Sequence, residues 1–134
     1  MSRQLGCIFL LAICLVLDGC GSGGRPEAKK YPVSGTVTLD GQPMAEGLVY
    51  FKTISAGAVD AAQIKGGKFQ GRAQEGDRRV EICLNKTEIQ ETGPGMKTEV
   101  QKNLIPPQYN EESTLTAKVT PQGPNEFKFE LVTK

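Results

Sequence analysis

Histidine and tryptophan are absent from the 134-residue chain, and aromatic residues are scarce, with three Tyr and five Phe. Histidine is the commonest general base in enzymes, so its absence excludes a catalytic histidine. The sequence also carries no recognised nucleophile or metal-binding motif, and we therefore expect no catalytic residue, no metal site and no cofactor. The scarcity of aromatics works against sugar binding as well, since sugar-binding β-sandwiches normally present planar aromatic side chains.

An excess of charge of either sign is also lacking. The chain has 16 Lys and Arg residues against 15 Asp and Glu residues, which gives a formal net charge of +1. No basic stripe indicates a nucleic acid partner, and no acidic block indicates calcium binding. We therefore expect neither of these partners.

The N-terminal residues have the pattern of a cleaved secretory signal. Arg3 supplies a positive charge, and an almost unbroken apolar run of 13 residues extends from Leu5 to Leu17. A membrane-spanning helix needs about 20 apolar residues, so a run of this length is more typical of a signal peptide than of a permanent span. We predict a signal peptide over residues 1–19 and an extracytoplasmic location.

Leu17, Gly19 and Cys20 resemble the lipobox of bacterial lipoproteins, which reads Leu, two mostly small residues and Cys. The resemblance implies that Cys20 is lipidated after cleavage and that the protein is held on a bacterial membrane through this anchor. Residues 20–30 are Gly-rich and then polar, and we expect a flexible tether there. In enterobacterial lipoproteins an Asp after the cysteine causes retention in the inner membrane, so Gly21 favours the outer membrane.

The positions of the four cysteines leave no pair for a disulfide bond within the predicted domain. Cys7 and Cys14 leave with the predicted signal and Cys20 carries the predicted lipid, so Cys83 has no intramolecular disulfide partner. A reactive thiol needs exposure and a lowered pKa. For Cys83 we favour the simpler interpretation of a passive small residue on a strand.

Period-two alternation of apolar and polar residues runs through most of the chain from Tyr31 onward. Val33, Val37 and Leu39 alternate with polar residues before an Asp-Gly turn, and Gly66-Gly67 joins two further runs into a hairpin. Together these patterns predict an all-β fold, a seven-stranded antiparallel β-sandwich that forms one domain over residues 31–134. The predicted strands cover 31–39, 48–53, 59–65, 68–73, 79–84, 114–120 and 126–131.

The segment from residue 86 to residue 110 does not follow this alternation. Met96, Val100 and Leu104 are spaced by four, which predicts a short helix or turn near residues 96–104, ended by the prolines that follow. Long connections on a rigid scaffold tend to be functional, so Met96, Val100, Ile105 and Tyr109 are candidates for a partner-contact surface. The alternative, which we favour, is that these side chains cap the edge of the sandwich.

Three motifs resemble the start of carboxypeptidase regulatory-like domains: Val33–Val37 (VSGTV), Asp40–Met44 (DGQPM) and Gly47–Phe51 (GLVYF). The resemblance implies a transthyretin-like, immunoglobulin-type sandwich that serves as an accessory, adhesive or structural module rather than an enzyme. Arg78 departs from the family, which usually has Tyr at this position. The chain as a whole resembles the small lipoproteins of this type in planctomycete-like bacteria, which often carry a late segment such as Pro107–Asn110.

We therefore predict a non-catalytic, membrane-anchored lipoprotein in the periplasm or at the cell surface. Its β-sandwich would act as an interaction or structural module that contacts an envelope protein or a polysaccharide. The alternative is a carbohydrate-binding accessory module. Two exposed, coplanar aromatic rings on one face would distinguish the alternative from the first interpretation.

Overall fold

A computed structural model describes residues 27–134; the predicted signal peptide and Cys20 lie outside this range. Within it, no helix is long and apolar enough to cross a membrane. The one helical element of residues 27–134 is a single 3-10 turn at Pro107–Tyr109. The strands, in chain order, are β1 (Lys30–Leu39), β2 (Gln42–Pro43), β3 (Glu46–Thr53), β4 (Ala58–Lys65), β5 (Lys68–Gln74), β6 (Gly76–Cys83), β7 (Asn85–Gly93), β8 (Met96–Asn103), β9 (Thr116–Val119) and β10 (Glu126–Leu131).

Eight strands form one curled sheet with the order β10-β1-β5-β4-β3-β6-β9, and the short β2 pairs with β1. All pairings in this sheet are antiparallel except that of β10 with β1, which is parallel. β7 and β8 form a separate two-stranded sheet. The predicted all-β, sandwich-like architecture is confirmed. β2, β7 and β8 are strands beyond the seven predicted, and the parallel β1–β10 pairing departs from the predicted antiparallel arrangement.

The alternation of apolar and polar residues along each strand determines which side chains lie on the buried, concave face of the curled sheet. In β6, for example, Val80 and Ile82 are fully buried and point into the core, as the pattern predicted. Four phenylalanine rings pack at the centre, with centroids 6.0–6.3 Å apart. The buried apolar residues are Val33, Val37, Met44, Val49, Phe51, Ala62, Ile64, Phe69, Ala73, Val80, Ile82, Ile105, Ala117, Val119, Phe129 and Leu131.

The predicted short helix near residues 96–104 is wrong, because Met96–Asn103 is the strand β8, paired with β7 from Asn85↔Asn103 to Gly93↔Met96. A spacing of four places side chains on one face in a strand as well as in a helix, so it does not distinguish the two. The β-branched residues of the segment, Thr98 and Val100, suit a strand. Pairing with β7 across the intervening Pro94-Gly95 turn then decides between the two structures.

Candidate functional site

The four residues predicted to form a partner-contact surface are divided between two places. Ile105 is 3% exposed and belongs to the core. Tyr109 is half-buried, and its hydroxyl accepts a hydrogen bond from the Val132 backbone N–H at 3.1 Å. Met96 and Val100 instead lie on β8, outside the main sheet. Ile105 and Tyr109 therefore pack with the core, whereas Met96 and Val100 remain candidates for contact with a partner.

We call the hairpin of β7 and β8, residues 85–103, the arm. Nearly all of its side chains are exposed, and only Gly93, Val100 and Asn103 are partly covered. Its two strands hydrogen-bond to each other as a sheet separate from the main one. Nine residues of strand extend about 30 Å, so the arm is a long projection from a small domain.

Hydrogen bonds at its base fasten the arm to the core. The Asn103 side-chain oxygen accepts the backbone N–H of Leu84 at 3.1 Å and that of Ile105 at 3.0 Å. The Leu104 N–H donates to the Leu84 carbonyl at 2.8 Å. Because Leu84 packs against the core and Ile105 lies in it, the arm leaves and re-enters the domain at fixed points.

The arm has two open edges with unpaired main-chain groups. The Leu104-to-Leu84 bond lies in the same register as the arm ladder, and hydrogen-bonded pairs alternate along an antiparallel ladder. The main-chain groups of Ile89 and Glu99, which lie opposite each other, therefore point away from the partner strand. Such edges are templates for pairing with another strand.

The arm has little support of its own. Ile89 is 65% exposed and Met96 is 66% exposed, and an isolated two-stranded hairpin is only marginally stable in water. Its cross-strand contacts are polar, such as the Gln101 to Thr87 hydrogen bond at 2.6 Å. Binding a third strand would cover a free edge and add support that the domain itself does not supply.

A repeated pentapeptide is the sequence signal that could have revealed this hairpin. Lys86–Gln90 reads KTEIQ and Lys97–Gln101 reads KTEVQ, on either side of Gly93-Pro94-Gly95. Two similar runs with β-branched residues, joined by a Gly- and Pro-containing turn, are typical of a hairpin. The spacing of apolar residues by four obscured this pattern.

A second cluster of polar side chains is buried beneath β4, β5 and β6. Arg78 is 1% exposed and donates from Nε to the Gln74 carbonyl at 2.9 Å. Its Nη2 lies 3.4 Å from Asp60, whose other carboxylate oxygen is 2.8 Å from the Lys30 ammonium. Burial lowers the pKa of Arg78 and Asp60 opposes that change, while the hydrogen bond to Asp60 raises the pKa of Lys30.

This cluster has a structural role. Asp60 contacts two cations and accepts the Gln74 backbone N–H at 2.9 Å, so its carboxylate is engaged within the domain. Residues 27–134 contain no group of three His, Cys, Asp or Glu side chains placed to hold a metal ion. Arg78, which departs from the resembled family, is thus accommodated inside the domain by a carboxylate.

Cys83 is half-buried at the end of β6. Burial raises the pKa of its thiol, and the hydrogen bond with Asn103 opposes this rise only in part. The thiolate is the reactive form, so we expect alkylation by iodoacetamide at pH 7.4 to be about tenfold slower than for a cysteine in a short peptide. In urea the rate should rise to the peptide value, and an equally fast reaction in the folded protein would contradict this assignment.

No aromatic residue in the described range is fully exposed. Phe127 and Phe129 stack at an interplanar angle of 19°, but Phe129 is 6% exposed and Phe127 packs against the core. Tyr50 is half-buried on β3, with the Lys52 ammonium 5.8 Å from its ring centroid. Residues 27–134 therefore present no flat pair of rings on which a neutral sugar would stack.

Comparison of the chain with protein-family models, curated proteins and solved structures found no match. The resemblance to carboxypeptidase regulatory-like domains and to planctomycete-type lipoproteins therefore stays a prediction. The arm, with its open edges and fastened base, is the feature of the described residues best suited to contact a partner.

Proposed function

We propose that this protein is a non-catalytic, lipid-anchored binding module of the bacterial envelope, and that the arm binds an envelope protein by strand addition. The observation that carries the proposal is a two-stranded sheet that lies outside the main sheet, has both edges open, and is fastened at its base. In strand addition, main-chain hydrogen bonds supply affinity and the flanking side chains supply specificity.

The charged side chains of the arm favour pairing with particular partner strands over pairing with any exposed strand. Both strands contain lysine and glutamate interspersed with neutral residues, and Lys102 lies 3.6 Å from Glu88 as a cross-strand ion pair. Charged side chains on edge strands discourage pairing with arbitrary strands. A partner strand therefore needs opposite charges in the matching register, which also protects the arm from aggregation.

The predicted anchor supports this use of the arm. Each buried methylene of an acyl chain adds about 0.8 kcal/mol of membrane affinity, so a multiply acylated Cys20 would hold the protein stably. A Gly-rich tether of ten residues spans about 18 Å, which lifts the domain clear of the headgroups. The domain needs no membrane-binding surface, and the arm is free to reach a neighbouring protein.

The test is crosslinking in intact cells with substitutions that remove edge donors. Proline at Ile89 and at Glu99 (Ile89→Pro, Glu99→Pro) removes one outward N–H from each edge without removing a hydrogen bond between β7 and β8. We expect the crosslinked species formed by the native chain to fall at least about tenfold, because each lost main-chain bond leaves a partner group unpaired.

The matched control is the same pair of positions changed to alanine, which retains both N–H donors. Strand addition predicts that the alanine variant keeps most of the crosslinks, and equal losses in both variants would contradict it. Protection of the Glu88 and Val100 amides from exchange shows that the hairpin still forms. A Cys20→Ala variant should leave the detergent phase and lose the crosslinks, and one that still partitions like the native chain argues against the anchor.

A further inference from the structure

A trough of mixed polar and apolar lining crosses the outer surface of the curled sheet. It is open to solvent, has a volume of about 820 Å³, and spans β10, β1, β5 and β4. We call it the trough and define it by Ser34, Gln63, Lys65, Lys68, Gln70 and Lys128. Its volume lies within the range of ligand-binding sites, about 300–1,000 Å³.

One side of the trough is a row of cations set by strand register. Lys65 pairs directly with Lys68 across β4 and β5, and Thr36 connects Lys68 on one side to Lys128 on the other. Strands are about 4.8 Å apart, so the row extends about 14 Å. Lys65 and Lys68 flank the Gly66-Gly67 turn of one hairpin, and Lys128 is brought to them from β10, which is distant in the chain.

This row has unsatisfied positive charge. Neither Lys65 nor Lys68 forms an ion pair with another residue of 27–134, although Glu46 lies opposite Lys65 on β3. Lys128 pairs with Glu130 at 2.7 Å in the open, where both side chains are 67% exposed. Like charges directly opposite in a sheet are destabilising, and a bound anion would relieve this repulsion.

The second side of the trough carries three neutral hydrogen-bonding side chains, Ser34, Gln63 and Gln70, and ends at the carboxylate of Glu126. Ser34 pairs with Gln70 on one side and with Glu126 on the other, and Gln63 lies on the outer face of β4 two residues before Lys65. Hydroxyl, amide and carboxylate groups together both donate and accept hydrogen bonds. They match a ligand rich in hydroxyl groups better than one that carries anions alone.

The lining and shape of the trough argue against single-stranded nucleic acid and against a bilayer surface as its ligand. The Phe69 ring is 3% exposed and Phe127 packs against the core, so neither provides the aromatic platform on which single-stranded nucleic acids stack their bases. A bilayer surface is flat and contacts protruding lysines more readily than groups along a concave channel. A flexible, non-aromatic polymer fits the shape.

We propose that the trough binds an anionic polysaccharide, with carboxylate groups along the Lys65–Lys68–Lys128 row and hydroxyl groups at Ser34, Gln63 and Gln70. This site goes beyond the proposed function, because it lies on the main sheet and does not involve the arm. The protein then has two separate contacts in the envelope, one with a protein strand and one with a charged glycan.

The test is a titration of the full chain with polygalacturonate, and with dextran as the uncharged comparison. The double variant Lys65→Gln, Lys68→Gln should bind polygalacturonate about tenfold more weakly, since exposed charges contribute a few-fold each. Binding by the native chain should weaken as NaCl is raised from 50 to 300 mM, because salt screens exposed charges. Dextran should not bind detectably.

The matched control is Lys97→Gln, Lys102→Gln, which removes the same charge from the arm and should leave affinity within about twofold. Equal losses in both double variants would overturn the proposal, because they would indicate general attraction to a cationic protein. Equal binding of dextran, of oligothymidylate or of anionic vesicles would overturn it as well. The arm proline variants should bind polygalacturonate normally, so the two proposals fail independently.

Discussion

Replacing Asp60 with alanine is expected to lower the free energy of unfolding by about 3–5 kcal/mol, the usual cost of removing one partner from a buried ion pair. Asp60 is 5% exposed and Arg78 is 1% exposed. The change would leave the Arg78 guanidinium in the interior without a carboxylate. It would also leave the Gln74 backbone N–H without its acceptor at 2.9 Å.

The loss of stability on replacing Asp60 is increased because the Arg78 guanidinium already has one atom without a hydrogen-bond partner. Nη1 of Arg78 is buried without a hydrogen-bond partner, so Asp60 and the Gln74 carbonyl supply the compensation that this guanidinium receives. Lys30 is the most exposed member of the cluster and turns to water when Asp60 is removed. The destabilisation by Asp60→Ala therefore comes mainly from the uncompensated charge of Arg78.

Urea denaturation followed by circular dichroism measures this effect. Asp77→Ala is the matched control, because Asp77 is an exposed carboxylate on the same strand as Arg78 and should change stability by less than about 0.5 kcal/mol. The double variant Asp60→Leu, Arg78→Met should regain most of the loss, since apolar residues often replace buried ion pairs without cost. A single variant as stable as the native chain would show that Asp60 does not compensate Arg78.

Replacing Gly35 with alanine should destabilise the domain by about 3 kcal/mol, the upper end of the cost of overpacking. A Cβ built at Gly35 would clash with the Phe127 carbonyl oxygen and lie 2.7 Å from the Phe69 ring. Gly35 pairs with Phe127 on β10 and with Phe69 on β5, so both neighbours are held by the sheet. Relieving the clash requires β10 to move away from β1.

Gly93→Ala is the matched control for this substitution. Its Cβ would have one neighbour, the Met96 sulfur at 3.7 Å, which is ordinary van der Waals contact. Thermal denaturation should therefore show a Tm lower by about 15 °C for Gly35→Ala and nearly unchanged for Gly93→Ala. Equal Tm values for the two variants would mean that the parallel β1–β10 pairing is not required for stability.

The sequence by itself determined where most strands lie and which of their faces is buried. Alternation in β1 and β6 placed Val33, Val37, Val80 and Ile82 inside, as the structure has them. Turn composition at Gly66-Gly67 likewise identified the β4–β5 hairpin. These features are local, because side-chain direction alternates with a period of two and turns depend on the conformational range of a few residues.

Only the tertiary structure decided how these local pieces pair. Met96 and Val100 fit a helix face as well as a strand face, and the pairing of β8 with β7 settled the question. Other features depend on residues distant in the chain. They are the burial of Ile105, the carboxylate beside Arg78, and the approach of Lys128 to the Lys65–Lys68 pair. Which strands pair depends on the free energy of the whole sheet, and a local sequence pattern does not determine that free energy.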